Sequence, residues 1–342
     1  MNHQKRIQQA FRDRTPLYIR GGDSKSFLTS ATNGKNMLRT GPLDGVLDYQ
    51  PEELFIRARA GTPLRDIEAL LLEQRQMLAF EPPHFSPRAT LGGAIATGLS
   101  GPSRPWRGAA RDFILGCVLI NGRGERLRFG GEVIKNVAGY DVSRLQCGAF
   151  GTLGLLEEIS IKTLPMPEEE VCLTMELNQA EALEKLRQWN RLPLPLTGAA
   201  WYQGRLHIRL GGNSSAVTGA RRALGGEEES DAEFWLKLKE QQLDFFDADL
   251  PLWRLSLPRD RGPLELPGDM LLDWGGAQRW LLSDRPYEQL SALAAEAGGH
   301  VAAWHTHAPH PLPPGLMRLH RRLKQAFDPA GILNPGQLVP GI

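Results

Sequence analysis

Bare glycine amides are the most chemically suggestive groups in this chain. Between Arg88 and Leu164 the sequence places Gly92-Gly93, Thr97-Gly98, Gly101, Gly108, Gly139, Gly148, Gly151 and Gly154 among short apolar runs. An earlier loop, Arg20-Gly21-Gly22-Asp23-Ser24-Lys25, follows the β-prone Leu17-Tyr18-Ile19. Glycines at this density let backbone pass close to a planar or phosphorylated ligand, because they expose unshielded N–H groups and accept positive φ. The chemistry they point to is cofactor binding.

The common nucleotide and hydrolase signatures are missing. Gly93-Ala-Ile-Ala-Thr-Gly98 has phosphate-loop spacing, but Leu99 stands where the phosphate-binding lysine belongs. No GxGxxG opens a helix after a strand, and no HExxH, GxSxG or CxxC occurs. His305, His307 and His310 form an HxHxxH run, yet no carboxylate or cysteine stands beside them, so no metal site is expected. Cys117, Cys147 and Cys172 are odd in number and widely spaced, which reads as buried free thiols.

A formal net charge of +1 leaves no field to gather nucleic acid or an anionic surface. The first residues are polar and charged, and the apolar runs are far shorter than the roughly 20 residues that span a bilayer. The expected location is therefore cytoplasmic, with membrane contact at most peripheral and through partners.

Elements that must position the glycines follow from periodicity. Strands are expected at Leu17–Ile19, Gly45–Tyr49 and Leu54–Ala60. Thr62-Pro63 then reads as an N-cap and first-turn proline for a helix burying Leu64, Ile67, Leu70 and Leu71. Phe113–Ile120, turned by Asn121-Gly122 into the alternating Glu125–Phe129, predicts a hairpin. Leu155–Leu164 is a further strand, ended by prolines. Beyond them come Val171–Leu177, a helix with Asn178 and Glu181 as capping pair, and strands at Arg205–Leu210, Trp253–Leu257, Met270–Trp274 and Gln278–Leu282. Tryptophans 201, 253, 274 and 280 read as core of that region. Leu316, Leu319, Leu323 and Phe327 form a helical apolar stripe before a turn-rich tail, so the chain is expected to fold back and dock. The fold class is α+β, with residues 1–167, 168–315 and 316–342 as a cofactor domain, a smaller α+β cap with antiparallel strands, and a returning tail.

Taken in order, the Arg20-Gly21-Gly22 loop, Thr90-Leu91-Gly92-Gly93, Ala96-Thr97-Gly98, Ala138-Gly139-Tyr140-Asp141, Gly148-Ala-Phe-Gly151-Thr-Leu-Gly154 and Phe327–Gly336 resemble FAD-binding flavoproteins of the vanillyl-alcohol oxidase / p-cresol methylhydroxylase (PCMH) type. The likeness covers residues 15–165 and the tail. With Gly101–Gly108 and Ile134–Asp141 it extends to the glycolate-oxidising branch of that family. The resemblance implies a PCMH-type domain of two α+β subdomains gripping FAD. Arg20, Gly21, Gly22, Asp23 and Ser24 would surround the diphosphate. Thr90, Leu91, Gly92, Gly93, Thr97, Gly98, Gly101 and Gly108 would form a second wall. Gly139, Tyr140, Gly148, Gly151, Gly154, Ile159 and Asn334 would complete the site.

It also implies a complex with a larger FAD subunit and an iron-sulfur subunit, acting on a small 2-hydroxy acid. For that chemistry His305 and His307 are base candidates and Arg254, with Arg104, a carboxylate clamp. The family's first loop usually runs Arg-Gly-Gly-Gly-Thr-Ser. Here Asp23 replaces the third glycine, near where covalent members carry histidine, so the resemblance implies dissociable FAD and a carboxylate that must turn away or pair with Lys25 or Arg20. The His-Gly-Asp-Gly-Asn string of substrate-oxidising relatives is absent, which leaves an electron-relay or assembly role as the alternative.

Overall fold

The computed structural model describes residues 2–30, 36–131, 141–229, 233–304 and 312–342. Two compact units emerge. The first comprises residues 1–100, 109–165 and 309–342, and the second residues 101–108 and 166–308. The C-terminal helix and tail thus fold with the first unit, and a short stretch from its middle belongs to the second.

In the first unit a five-stranded antiparallel sheet runs in the order Val46–Gln50, Phe55–Arg59, Leu155–Lys162, Ile114–Ile120, Arg126–Gly130. The predicted hairpin is its last pair, with Asn121 Oδ1 accepting from the Arg123 and Glu125 N–H groups across the turn. The helix Leu64–Glu73 packs Leu64, Ile67 and Leu71 into the core beneath the sheet. Its start differs from expectation. Pro63 itself occupies the cap position, while the Thr62 hydroxyl accepts from Gly45 N–H at 3.0 Å and sits 3.2 Å from its carbonyl. Thr62 therefore ties two loops together and does not cap.

A second, smaller layer pairs Tyr18–Arg20 in parallel with Met37–Arg39. It buries Leu17 and Leu38 against Ile7, Ile332 and Leu333. The tail reaches it through Leu17 N–H to Ile332 O (2.7 Å) and Asn334 N–H to Leu17 O (2.9 Å). The preceding helix, Pro314–Phe327, does not bury the expected stripe: Leu316 and Leu319 are 48% and 54% exposed. It is held at its C-terminal end by Phe327, tilted against Phe129, and by the buried Lys324.

The second unit is built on an eight-stranded antiparallel sheet that includes Glu169–Glu176, Leu196–Tyr202, Arg205–Gly212, Leu252–Ser256, Asp269–Asp273 and Gln278–Leu282. The helix Gln179–Trp189 begins with the reciprocal Asn178–Glu181 capping box and buries Leu183, Leu186 and Trp189. Trp253 and Trp280 are core; Trp201 is half-buried and donates to Leu177 O at 2.8 Å.

Candidate functional site

In the first unit the loop after Tyr18–Arg20 comes close against the segment 88–90. A Cβ on Gly22 would lie 1.5 Å from the Arg88 carbonyl oxygen, and one on Gly21 2.7 Å from Thr90 Oγ1. At Gly22, where the neighbour is backbone, only glycine fits; at Gly21 the Thr90 hydroxyl would have to shift. Thr90 then caps the helix Leu91–Thr97, its hydroxyl accepting from Gly93 N–H at 3.2 Å. Gly92 rests on Ala60, donating to its carbonyl at 2.7 Å, and an added Cβ there would meet Ala60 at 2.8 Å.

A third segment closes the site through Asn334. Its Oδ1 accepts from Ile19 N–H at 2.6 Å and its Nδ2 donates to Phe150 O at 2.6 Å, so one buried amide joins the first strand to the turn before Gly151. A Cβ on Gly151, which has φ +68°, would stand 2.9 Å from that amide nitrogen. Replacing Asn334 with alanine strands both backbone groups without partners, at about 1–3 kcal/mol each. The Asn334→Ala protein is therefore expected to lose roughly 2–6 kcal/mol in chemical denaturation; a loss under 1 kcal/mol would mean this clasp is not structural.

These three segments line one cavity of about 100 Å³. It takes a compact anionic group, and a whole dinucleotide would extend beyond it. Arg20, Gly21, Gly22, Asp23, Ser24, Thr90, Gly92, Gly93, Thr97, Gly151, Gly154 and Asn334 are thus brought together. Ala96 and Phe150, both within the quoted glycine strings, also line it, as do Thr40, Ala60 and Leu156, which no motif marks. Lys25 is a lining residue too, only 6% exposed, with its ammonium 5.6 Å above the Phe85 ring. Asp23 is paired with Arg39, which holds its carboxylate at 3.0 Å. The charge balance of the cradle therefore suits a phosphate.

Several predicted site residues lie elsewhere. Leu91 and Ile159 are buried in the hydrophobic core of the unit. Along the helix, Leu91, Ala94 and Ile95 form the core face, while Gly92, Gly93, Ala96 and Thr97 face the cavity. Gly98 is the left-handed helix cap, and a Cβ on it would lie 3.0 Å from Gly148 N. Gly148 donates to Ile95 O at 3.0 Å. Both are turn residues outside the cavity lining. Gly101 and Gly108 belong to the second unit. Gly139, Tyr140, His305, His307 and His310 lie outside the described residues.

Arg254 sits on the strand Leu252–Ser256 of the second unit, its guanidinium 5.0 Å from the Trp304 ring. Its Nε is buried with no hydrogen-bond partner among the described residues. Burial, reinforced by the charge of Arg104, brings its pKa down to about 10, so it stays cationic at neutral pH. Arg104 stacks over Trp274 at 4.4 Å, and Trp274 in turn donates to Gly101 O at 3.1 Å. Arg104 and Arg254 are thus two cations, each packed on a tryptophan ring. The cysteines offer no nucleophile: burial pushes the Cys117 and Cys147 thiols up to about 11.

A family model of the FAD binding domain matches residues 3–130, and one of the C-terminal domain of FAD linked oxidases matches residues 278–338. Among solved structures, an alkyldihydroxyacetonephosphate synthase superposes with a TM-score of 0.68 over 98% of this chain and 75% of its own, at 16% identity. That likeness concerns the fold alone. The class defined by fold and cradle is the FAD-linked oxidoreductase. Within it the chain belongs to the family of glycolate oxidase subunit GlcE: the Escherichia coli protein of that name is 47% identical over 98% of this chain and 95% of its own. Glycolate oxidase subunit GlcD of Bacillus subtilis is 30% identical over 47% of this chain and 34% of its own. Among the described residues no helix is long and apolar enough to cross a membrane.

Proposed function

We propose that this chain is the FAD-binding E-type subunit of a complex that oxidises glycolate, a 2-hydroxy acid, to glyoxylate. The observation that carries this reading is the convergence of Gly21–Ser24, Thr90–Gly93 and the Gly151–Asn334 junction on one cavity whose acid, Asp23, is already paired. The main-chain N–H groups of Gly21, Gly22 and Ser24 would hold the diphosphate of non-covalent FAD, against the wall made by the helix from Thr90, whose own first N–H groups are taken by Thr62 O, Ala60 O and Thr90 Oγ1. When bound, the flavin supplies a two-electron acceptor for the hydride on the substrate α-carbon. In the second unit Arg254 and Arg104 would bind the substrate carboxylate, and His305 or His307 would take the hydroxyl proton. Partners in this reading are a larger FAD subunit and an iron-sulfur subunit, which carries the electrons away. Membrane contact would come through those partners.

Arg254 separates a functional cation from a structural one. A buried guanidinium whose Nε has no hydrogen-bond partner among the described residues costs stability, so Arg254→Met is expected to keep or raise the melting temperature. The same change is expected to weaken glycolate-dependent flavin reduction about 100-fold, the scale of losing a desolvated carboxylate partner. Unchanged reduction in a folded Arg254→Met protein would remove the clamp from the account.

Anaerobic addition of glycolate to the purified, flavin-loaded chain tests the reading. Bleaching of the oxidised flavin band is the expected result. Flavin that stays oxidised until the larger subunit is added would assign this chain the electron-relay role, which the missing His-Gly-Asp-Gly-Asn string favours.

A further inference from the structure

The second unit contains a cavity that the flavin chemistry does not use. It measures about 650 Å³, within the range of small-molecule sites. It opens where the end of Leu196–Tyr202 meets the start of Asp269–Asp273 and the turn Asp244–Asp247. Trp201, Tyr202 and Phe245 line it, the last two edge to face at 6.1 Å, together with the buried Leu282 and the amides Gln179 and Gln203.

Three carboxylates, Asp244, Glu265 and Asp269, lie on the exposed rim. Among the described residues no lysine, arginine or histidine lines the cavity, and none of the three carboxylates has an ion-pair partner. Burial raises the Tyr202 phenol pKa and the Asp244 charge raises it further, so the phenol stays neutral and adds no anion of its own. Aromatic lining beside three carboxylates without ion-pair partners among the described residues disfavours anions and gives a neutral apolar molecule only half of what the site offers. It suits a cation on a hydrocarbon stem: the stem displaces water from the aromatic lining, while the charged head meets the ring faces and the acidic rim.

We propose that this cavity binds a small organic cation, an ammonium or guanidinium group carried on an apolar stem. The ligand is distinct in charge from the 2-hydroxy acid assigned to the oxidation, so the proposal stands whether or not that reading survives.

Isothermal titration calorimetry of the full chain with hexylammonium, hexanol and hexanoate tests it. Hexylammonium is expected to bind saturably at one site per chain, about tenfold or more tighter than either other compound, a difference of about 1.4 kcal/mol. In Asp244→Asn/Glu265→Gln/Asp269→Asn, whose changes are isosteric and at exposed positions, that preference is expected to vanish while near-ultraviolet circular dichroism is unchanged. Trp201→Leu should weaken hexylammonium binding separately. Hexanol binding as tightly as hexylammonium would overturn the proposal, as would no saturable binding or an unaltered preference in the triple variant.

Discussion

Gly22→Ala is expected to abolish stable FAD binding, with the affinity falling at least about 100-fold, equivalent to about 2.7 kcal/mol. The new methyl carbon would sit 1.5 Å from the Arg88 carbonyl oxygen. Backbone cannot yield as a flexible side chain does, so the loop 20–24 must leave the segment 88–90, and the two walls of the cradle separate. Gly41→Ala is the matching control in the same unit, because a Cβ there has no neighbour within 4 Å. Fluorescence titration of the deflavinated proteins with FAD reads the difference. Near-wild-type affinity in Gly22→Ala would mean that the approach of these two segments is irrelevant to the cofactor.

Lys324→Met is expected to cost about 3–5 kcal/mol of stability, the scale of breaking a buried ion pair from one side. The Lys324 ammonium directs its donors to Thr152 O at 2.8 Å, Leu333 O at 2.6 Å and the Asp328 carboxylate at 2.8 Å. Burial lowers its pKa while Asp328 opposes that shift, so these partners favour the charged form. Asp328 meanwhile accepts from Ile332 and Leu333 N–H, which shapes the tail that delivers Asn334. Thr152 follows Gly151 and Leu333 precedes Asn334, so the loss should reach the cradle. Urea denaturation would show the destabilisation, and saturating FAD should restore part of it by mass action. Lys324→Met/Asp328→Asn should be less destabilised than the sum of the two single changes, because the stranded carboxylate is gone. Strict additivity would show that the pair is not coupled.

Much of this arrangement is legible in the sequence. The glycine series, the hairpin at Asn121-Gly122 and the Asn178–Glu181 box are local patterns, each enforced by one turn or one cap, and local patterns survive folding. The tail residue Asn334 was legible only as part of a family-like string. Its bonds to Ile19 and Phe150 span 315 and 184 residues, distances over which periodicity carries no information.

The misplacements have physical causes as well. Leu91 and Ile159 were assigned to the cofactor with their neighbours, yet helix and strand periodicity turn their side chains to the core; counting faces would have separated them. Leu316 and Leu319 share an apolar stripe, but the helix is anchored by Phe327 and by a lysine, which no hydrophobicity pattern selects. Arg39 lies 16 positions from Asp23 and is brought beside it by the parallel pairing of two three-residue strands, a signal too short to read.

The central claim is that separate main-chain segments of the first unit hold one FAD per chain. Equilibrium titration of the folded, deflavinated full-length chain with FAD tests it most directly. The account predicts saturable quenching of flavin fluorescence with a stoichiometry near one and recovery of a visible flavin spectrum. A properly folded chain that stays colourless and leaves FAD fluorescence unquenched at excess cofactor would contradict it.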